Sequence, residues 1–407
     1  MTINKTSGQT LSFQNDIEEE FGTTPTRSLG SYRSSDSNFQ NKNVGSLSNL
    51  PLDFGIPTSG EIKFSDFYGK KLNVVVDYFS GGTEVKQTVG ANTMSATWRY
   101  DNQSGKVTVV GGFRTRPALN AWQGGKRILI NVNKTLGGNK DGDASDVALR
   151  TGVWPSGTEL QVEIGTNGKI LGAGGNGGAA SPALTSSNGL AGGNGTSALG
   201  VEYPATINNN GILRCGFAGG GGGSGGASDP NNSDIDFGRS GGGGGGGAGL
   251  PAGAGGANGT GSFSVYNSGA HNPALDGAPG AAGTEDSGGN GGAAQQFAYP
   301  AGTQHELRYW NQDLVPCTLT SASQITATNY CGLVLRAGGG GNGGDGNDAA
   351  TAGATAFNPK PGLYAGAGVG GQAGTNGSAI YYTNNTVQNG STLIGGVVGG
   401  IQVGAIN

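Results

Sequence analysis

Trp154-Pro-Ser-Gly-Thr-Glu-Leu-Gln-Val-Glu-Ile-Gly-Thr-Asn-Gly-Lys-Ile-Leu-Gly-Ala-Gly-Gly-Asn-Gly-Gly178 passes, within one stretch, from side-chain architecture to glycine architecture. Its first half alternates: Leu160, Val162 and Ile164 are apolar while Gln161 and Glu163 are polar, the period of two expected of a strand with one buried face. From Gly172 onward only glycine, alanine and asparagine remain. Glycine loses the most backbone freedom on ordering and brings no side chain to bury. Such a tract is either a loose linker or a structure in which the backbones themselves pack, and that choice decides the fold.

Working outward, glycine supplies 86 of the 407 residues, with further runs at Gly219 to Gly226, Gly241 to Gly247 and Gly338 to Gly346. Apolar marks punctuate them: Ile170-Leu171, Ile207, Ile212-Leu213, Phe217, Leu250, Leu333-Val334-Leu335 and Ile380-Tyr381-Tyr382. A flexible linker has no use for these. There is no strict Gly-X-Y repeat and proline is only 15 residues, so collagen is excluded. Residues 166–407 are therefore expected to form a bundle of polyproline-II-type glycine strands, joined by N–H···O bonds and weak Cα–H···O contacts. One glycine-poor island, 295–336, carries Phe297, Tyr299, His305, Arg308, Tyr309, Trp310 and Tyr330.

Upstream, 72–165 repeats the alternation of the opening stretch. Leu72, Val74, Val76 and Tyr78 form one row and Ile128, Ile130 and Val132 another, with turn clusters between, and Trp98, Trp122 and Trp154 can fill a core. This pattern predicts an antiparallel β-sandwich. Residues 1–71 read as a small module of short elements. Phe13, Ile17 and Phe21 share one helical face that Ser12 can cap. The stretch 23–60 is too polar to make its own core and needs a surface to lie on. The expected class is thus mainly β, in the order N-terminal module, sandwich, glycine-rich bundle.

Composition narrows the function. Charged residues are 12% and the net charge is −4, with no basic block, so nothing points to nucleic acid. The N-terminus lacks an apolar signal core, and Leu393 to Ile406 is short and glycine-broken, which suits a strand better than a membrane span. Cys317 and Cys331 could close a loop, but buried free thiols, Cys215 included, are the plainer reading. No cofactor or metal is expected. Gly222-Gly-Ser-Gly-Gly226 fits a nucleophile pattern only by its glycine content. Asp141-Gly-Asp-Ala-Ser145 departs from a calcium loop at its sixth and twelfth positions, and Gly343 to Asp348 is a single copy of a motif that needs tandem repeats.

Two patterns resemble tail proteins of tailed bacteriophages. The first is Leu11-Ser-Phe-Gln-Asn-Asp-Ile-Glu-Glu-Glu-Phe-Gly22, followed by Ser28-Leu-Gly-Ser-Tyr-Arg33 and Ile56-Pro-Thr-Ser-Gly-Glu-Ile-Lys-Phe-Ser-Asp-Phe-Tyr-Gly69. The second is the opening stretch, echoed by Ile207-Asn-Asn-Asn-Gly-Ile-Leu-Arg-Cys-Gly-Phe-Ala-Gly-Gly220, which is similar to glycine-rich tail-tip adhesins, some of them polyglycine-II sandwiches. The resemblance implies a non-enzymatic virion tail-fibre or tail-tip protein, made in the host cytoplasm without a signal peptide. Its partners would be other tail or baseplate proteins and a host surface glycan or outer-membrane protein, with a homotrimer among the possible assemblies. Phe13, Phe21, Phe64 and Phe67 are the candidates for burial against a tail partner. Tyr299, His305, Tyr309 and Trp310 are the receptor-binding candidates, since aromatic loops on a rigid scaffold suit recognition; the plainer reading is that Phe297, Tyr299, Tyr309 and Trp310 form the island's own small core. A baseplate component without receptor role and a polysaccharide depolymerase remain as alternatives.

Overall fold

The computed structural model describes residues 3, 5–21, 27–33, 42–44, 47–50, 53, 55–57, 59–71, 73–78, 84–85, 87–88, 108–110, 127–138, 147–154, 156–181, 188–224, 226–227, 235–260, 262–265, 270–271, 277–293, 304–308, 314–318, 351 and 370–403. The alternating rows do form strands, Val74–Tyr78, Arg127–Val132 and Glu159–Ile164. They pair in parallel, however, with Val76 beside Ile130 and Ile130 beside Val162. Ala205–Asn209 and Thr392–Ile394 extend the same sheet in parallel, and an antiparallel edge, Thr108–Val110, closes its other side.

Two more parallel sheets complete the pattern. One stacks Glu84–Val85, Thr135–Gly137, Lys169–Leu171 and Ile212–Arg214; the other stacks Gln87–Thr88, Val147–Arg150, Ser197–Val201, Ser378–Tyr382 and Gly400–Val403. The chain visits the sheets in turn and then starts again, so the strands are the sides of successive coils of a parallel solenoid. The antiparallel sandwich expected from the sequence is thereby corrected. Period two reports that one face of a strand is buried, not the direction of its neighbour. Between Val132 and Thr135 the two residues Asn133 and Lys134 turn a corner into the next sheet rather than reversing the strand.

Inside the solenoid, like side chains stack in register: Ile128 on Leu160, Ile130 on Val162 and Ile207, Leu136 on Ile170 and Leu213, Leu149 on Leu199 and Ile380. All of them are buried, each worth about 1.5–3 kcal/mol of transfer free energy. On the opposite face of the first sheet Asn131, Glu163 and Asn208 also align. There the Glu163 carboxylate accepts hydrogen bonds from Gln161 and Asn208.

The N-terminal module finds its supporting surface on this chain. Phe21, Tyr32 and Phe67 meet edge to face with ring centroids 5.8–6.1 Å apart, and with Ile3, Ile17 and Ile56 they continue the solenoid core. Ser12 opens the helical turn through Phe13, its Oγ accepting from the Asn15 N–H at 3.1 Å and its carbonyl from Asp16 and Ile17. A buried polar knot joins module to solenoid: Arg127 pairs with Asp53, the Arg127 N–H donates to Asn73 Oδ1 at 2.8 Å, and the Lys71 N–H donates to Asp53 Oδ2 at 3.2 Å.

The described glycine segments are threaded through the solenoid. The chain leaves after Leu171 and re-enters at Ser197, then leaves after Arg214 and re-enters at Ser378. Strands from both sides of residue 165 therefore share the same sheets. The outlying segments lie side by side and bond at every third residue. The N–H groups of Gly175, Gly178 and Ser181 donate to Phe217, Gly220 and Gly223, and those of Gly253, Gly256 and Gly259 to Gly247, Gly244 and Gly241.

Three successive glycines face three different neighbours. A Cβ on Gly243 would overlap the Gly256 carbonyl, one on Gly244 that of Gly220, and one on Gly245 that of Gly289. The segments 215–224 and 240–249 are buried throughout, whereas 252–260 alternates with period three: Gly253, Gly256 and Gly259 are buried, and Ala254, Ala257 and Thr260 are exposed. Asparagine supplies the acceptor where a neighbouring segment does not. Asn176 Oδ1 accepts from the Ala254 N–H, Asn194 Oδ1 from Thr375 and Asn376 Oδ1 from Ala218, each at 2.9 Å.

Two outcomes follow for stability. Gly243→Val forces a side chain into a backbone contact and should cost about 3 kcal/mol or more, whereas Ala254→Val, on the exposed side, should stay within about 0.5 kcal/mol; denaturant unfolding of both reads the difference. Phe67→Ala should destabilise the N-terminal module by about 3–5 kcal/mol. An unchanged unfolding midpoint for Phe67→Ala would contradict the aromatic core.

Candidate functional site

The glycine segments share two ends. At the near end lie the solenoid strands and the small cluster of Cys215, Phe217 and Ala248. Burial pushes the Cys215 thiol up to about 11, a neutral and unreactive group despite the Arg214 charge beside it. At the far end the tract closes on buried hydroxyl residues, Ser181, Ser224 and Ser240. Ser240 Oγ accepts the Gly277 N–H at 2.6 Å and ties two segments together there. Ser224, the serine of the Gly222 to Gly226 pattern, is wholly enclosed by glycine packing and offers no accessible nucleophile.

From this far end the chain makes its excursions. Gly226–Ala227, Ile235–Arg239, Ser262–Val265 and Ala270–His271 form a four-stranded antiparallel sheet, with Phe237 opposite Phe263 and Ser262 opposite His271. Gln304–Arg308 pairs antiparallel with Leu314–Thr318, which places His305 opposite Cys317. Both histidines of the chain lie on strands, His271 in Ala270–His271 and His305 in Gln304–Arg308. Sequence reasoning singled out His305 and passed over His271, for which an isolated histidine gave no signal. Tyr299, Tyr309, Trp310 and Cys331 lie outside the described residues, as do the acidic loops at 141–145 and 343–348. Among the described residues no group of three or more metal-ligating side chains comes together, and no helix is long and apolar enough to cross a membrane.

The four phenylalanines expected at a tail interface divide. Phe21 and Phe67 are fully buried in the module's own core, so their faces are already covered by Tyr32 and by each other. Phe13 is half-buried and packs edge to face on Tyr32 and Phe64. Phe64 is 41% exposed and is the open end of that aromatic row. Nearby, Lys5 donates to Asp16 at 2.7 Å and holds the Asp16 carboxyl below its ordinary range.

The chain matches the family model of the phage tail fibre adhesin Gp38 over residues 106–312, about half of its length. No curated protein matches it. Among solved structures it is similar to the crystal structure of the gp37-gp38 adhesin tip complex of the bacteriophage S16 long tail fiber. Identity is 17% over 85% of this chain and 89% of that chain, at a TM-score of 0.26, too low to bear on the fold. The family match spans the solenoid coils that launch the glycine tract, much of the tract itself, and the first far-end excursions. The chain belongs to the phage tail fibre adhesin Gp38 family.

Proposed function

We propose that this adhesin fixes to the tail through its N-terminal module and meets the host with the loops at the far end of the glycine bundle. The observation that carries this reading is directional: Ser224, Ser240, Thr260, Gly277 and Ala293, where the described glycine segments end, all lie at the end opposite the solenoid. Loops raised on a rigid scaffold concentrate side chains of free choice where a surface is met. The bundle acts as a spacer of polyproline-II type; the three-residue hydrogen-bond period supports this form, at about 3.1 Å per residue. Under this reading 1–71 is the attachment module, the parallel solenoid the base, and the glycine segments an outgrowth of two of its coils. The action is binding, not bond cleavage, and a sugar-release assay on host cells separates it from a depolymerase.

At the tail side, Phe64 with Phe13 is the contact, since Phe21 and Phe67 are committed inward. Phe64→Ser should leave the melting temperature unchanged and lower incorporation into virions; normal incorporation would remove Phe64 from the interface. At the host side, Tyr299, His305, Tyr309 and Trp310 of the far-end insertion meet a surface glycan or an outer-membrane protein. Truncating a central aromatic anchor costs about 2–4 kcal/mol, roughly thirtyfold or more in affinity. Tyr299→Ala and Trp310→Ala proteins with full stability and full adsorption would eliminate the insertion, and reduced stability instead would mark these rings as its core.

A further inference from the structure

Ten asparagines of this chain stand directly before glycine, and each such pair carries a chemical liability. With no side chain on the glycine to shield it, the following backbone nitrogen attacks the asparagine Cγ. A C–N bond forms and the Cγ–Nδ2 bond breaks. The amide leaves with the nitrogen's proton as ammonia, and water then opens the succinimide to aspartate or isoaspartate. Two conditions must be met. The glycine N–H must be free to lose its proton, and the asparagine amide must swing back over that nitrogen.

The glycine segments deny both. Asn176 Oδ1 accepts the Ala254 N–H at 2.9 Å while the Gly177 N–H donates to the Ala254 carbonyl at 2.8 Å. Asn194 and Gly195 treat Thr375 alike, Oδ1 accepting its N–H at 2.9 Å and the Gly195 N–H donating to its carbonyl at 2.9 Å. Asn376 Oδ1 accepts the Ala218 N–H at 2.9 Å, and the Gly377 N–H donates to the Gly216 carbonyl at 3.0 Å. Each pair thus clasps the backbone of a neighbouring segment, with its amide turned outward and its glycine proton committed. To react, it has to give up both hydrogen bonds at once.

Asn210 differs. It lies in the solenoid turn between Ala205–Asn209 and Ile212–Arg214. Its glycine N–H, that of Gly211, donates to the Asn209 side chain, Oδ1, at 3.1 Å rather than to a backbone carbonyl. Among the described residues Asn210 itself is held through its main chain, its N–H donating to the Ile164 carbonyl at 2.8 Å. Asn176, Asn194, Asn376 and Asn210 are all exposed, so access to water does not separate them; the clasp does. Two other turn pairs stand between, since Gly168 donates to the Gly165 carbonyl at 2.7 Å and Gly390 to that of Thr386 at 3.0 Å. We propose that Asn210 is a site of spontaneous modification to aspartate and isoaspartate, and that the clasp withholds the same reaction from Asn176, Asn194 and Asn376. Isoaspartate adds one backbone carbon between strands fixed in register, Asn209 beside Ile164 and Ile212 beside Lys169. The change strains the coil, and with it the next one, which Asn209 Nδ2 ties to the same turn through the Gly396 carbonyl.

The test ages the full-length protein at mildly alkaline pH and physiological temperature and quantifies each asparaginyl-glycine peptide by mass spectrometry. Electron-transfer fragmentation separates isoaspartate from aspartate, and the same chain unfolded in guanidinium gives the unprotected rate of every pair. In the folded protein Asn210 should react first and the three clasped asparagines at least about tenfold more slowly than Asn210, with Asn167 and Asn389 between. Ala254→Pro keeps a φ suited to the segment and removes the N–H that Asn176 accepts. It should speed the reaction of Asn176 several-fold and leave that of Asn194 unchanged. Asn210→Ser should abolish the modification at 210 together with the fall in melting temperature on ageing. Clasped pairs that react as fast in the folded as in the unfolded chain, or an Asn176 indifferent to Ala254→Pro, overturn the protection. Asn210 reacting no faster than the clasped pairs removes it as the site, and a melting temperature that still falls in Asn210→Ser refutes the strain assigned to its turn.

Discussion

The carbonyl oxygens of neighbouring glycine segments occupy the space in which a Cβ would have to stand, and the distal half of the molecule depends on that approach. With side chains absent, each backbone reaches its neighbours directly, and the conformational freedom lost by so many glycines is offset by hydrogen bonds made in several directions at once. Gly243, Gly244 and Gly245 face three different segments. Within 252–260 side chains stand where the segment meets water, at Ala254, Ala257 and Thr260. Asn176, Asn194 and Asn376 extend the same logic by offering a side-chain carbonyl to an N–H that lacks a neighbouring backbone.

A packing scheme without side chains carries no address, and the solenoid supplies one. Its coils stack Ile130, Val162 and Ile207 in register, so the points at which the chain departs, after Leu171 and after Arg214, are held one above the other. The departing segments then begin in step: Gly172 donates to the Arg214 carbonyl and Gly175 to that of Phe217. The turn at 285–286 is tied to the same base, Glu285 to Lys169 and Asp286 to Arg214. The base is anchored in its turn by the Arg127–Asp53 pair, buried where solenoid and N-terminal module meet.

Much of this was legible in the residues. The alternating rows located the strands, and the apolar marks between glycine runs distinguished an ordered tract from a linker. Strand direction was not legible, because an inward row reads alike in parallel and antiparallel neighbours. The cue lay in the echo between the stretch from Trp154 to Gly178 and that from Ile207 to Gly220, two coils lying on each other. Likewise Gly253, Gly256 and Gly259 carry a period of three too short to register as a repeat along the whole chain. The polarity of 23–60 implies a supporting surface without saying whose; Asp53 of that stretch pairs with Arg127 of this chain. Glu285 and Asp286 gave no sequence signal, since their partners, Lys169 and Arg214, are distant along the chain.

Under the proposed function the solenoid faces the tail, and the glycine segments stand between that base and the excursions. Electron tomography of virions adsorbed to host cells, with a label on the N-terminal module to fix orientation, tests this most directly. The account predicts that the labelled end abuts the tail and that the far end of the bundle, with the excursions at 225–239, 261–276 and beyond 293, touches the cell surface. Contact through the flank of the bundle or through the solenoid, with those excursions turned away from the cell, would contradict it.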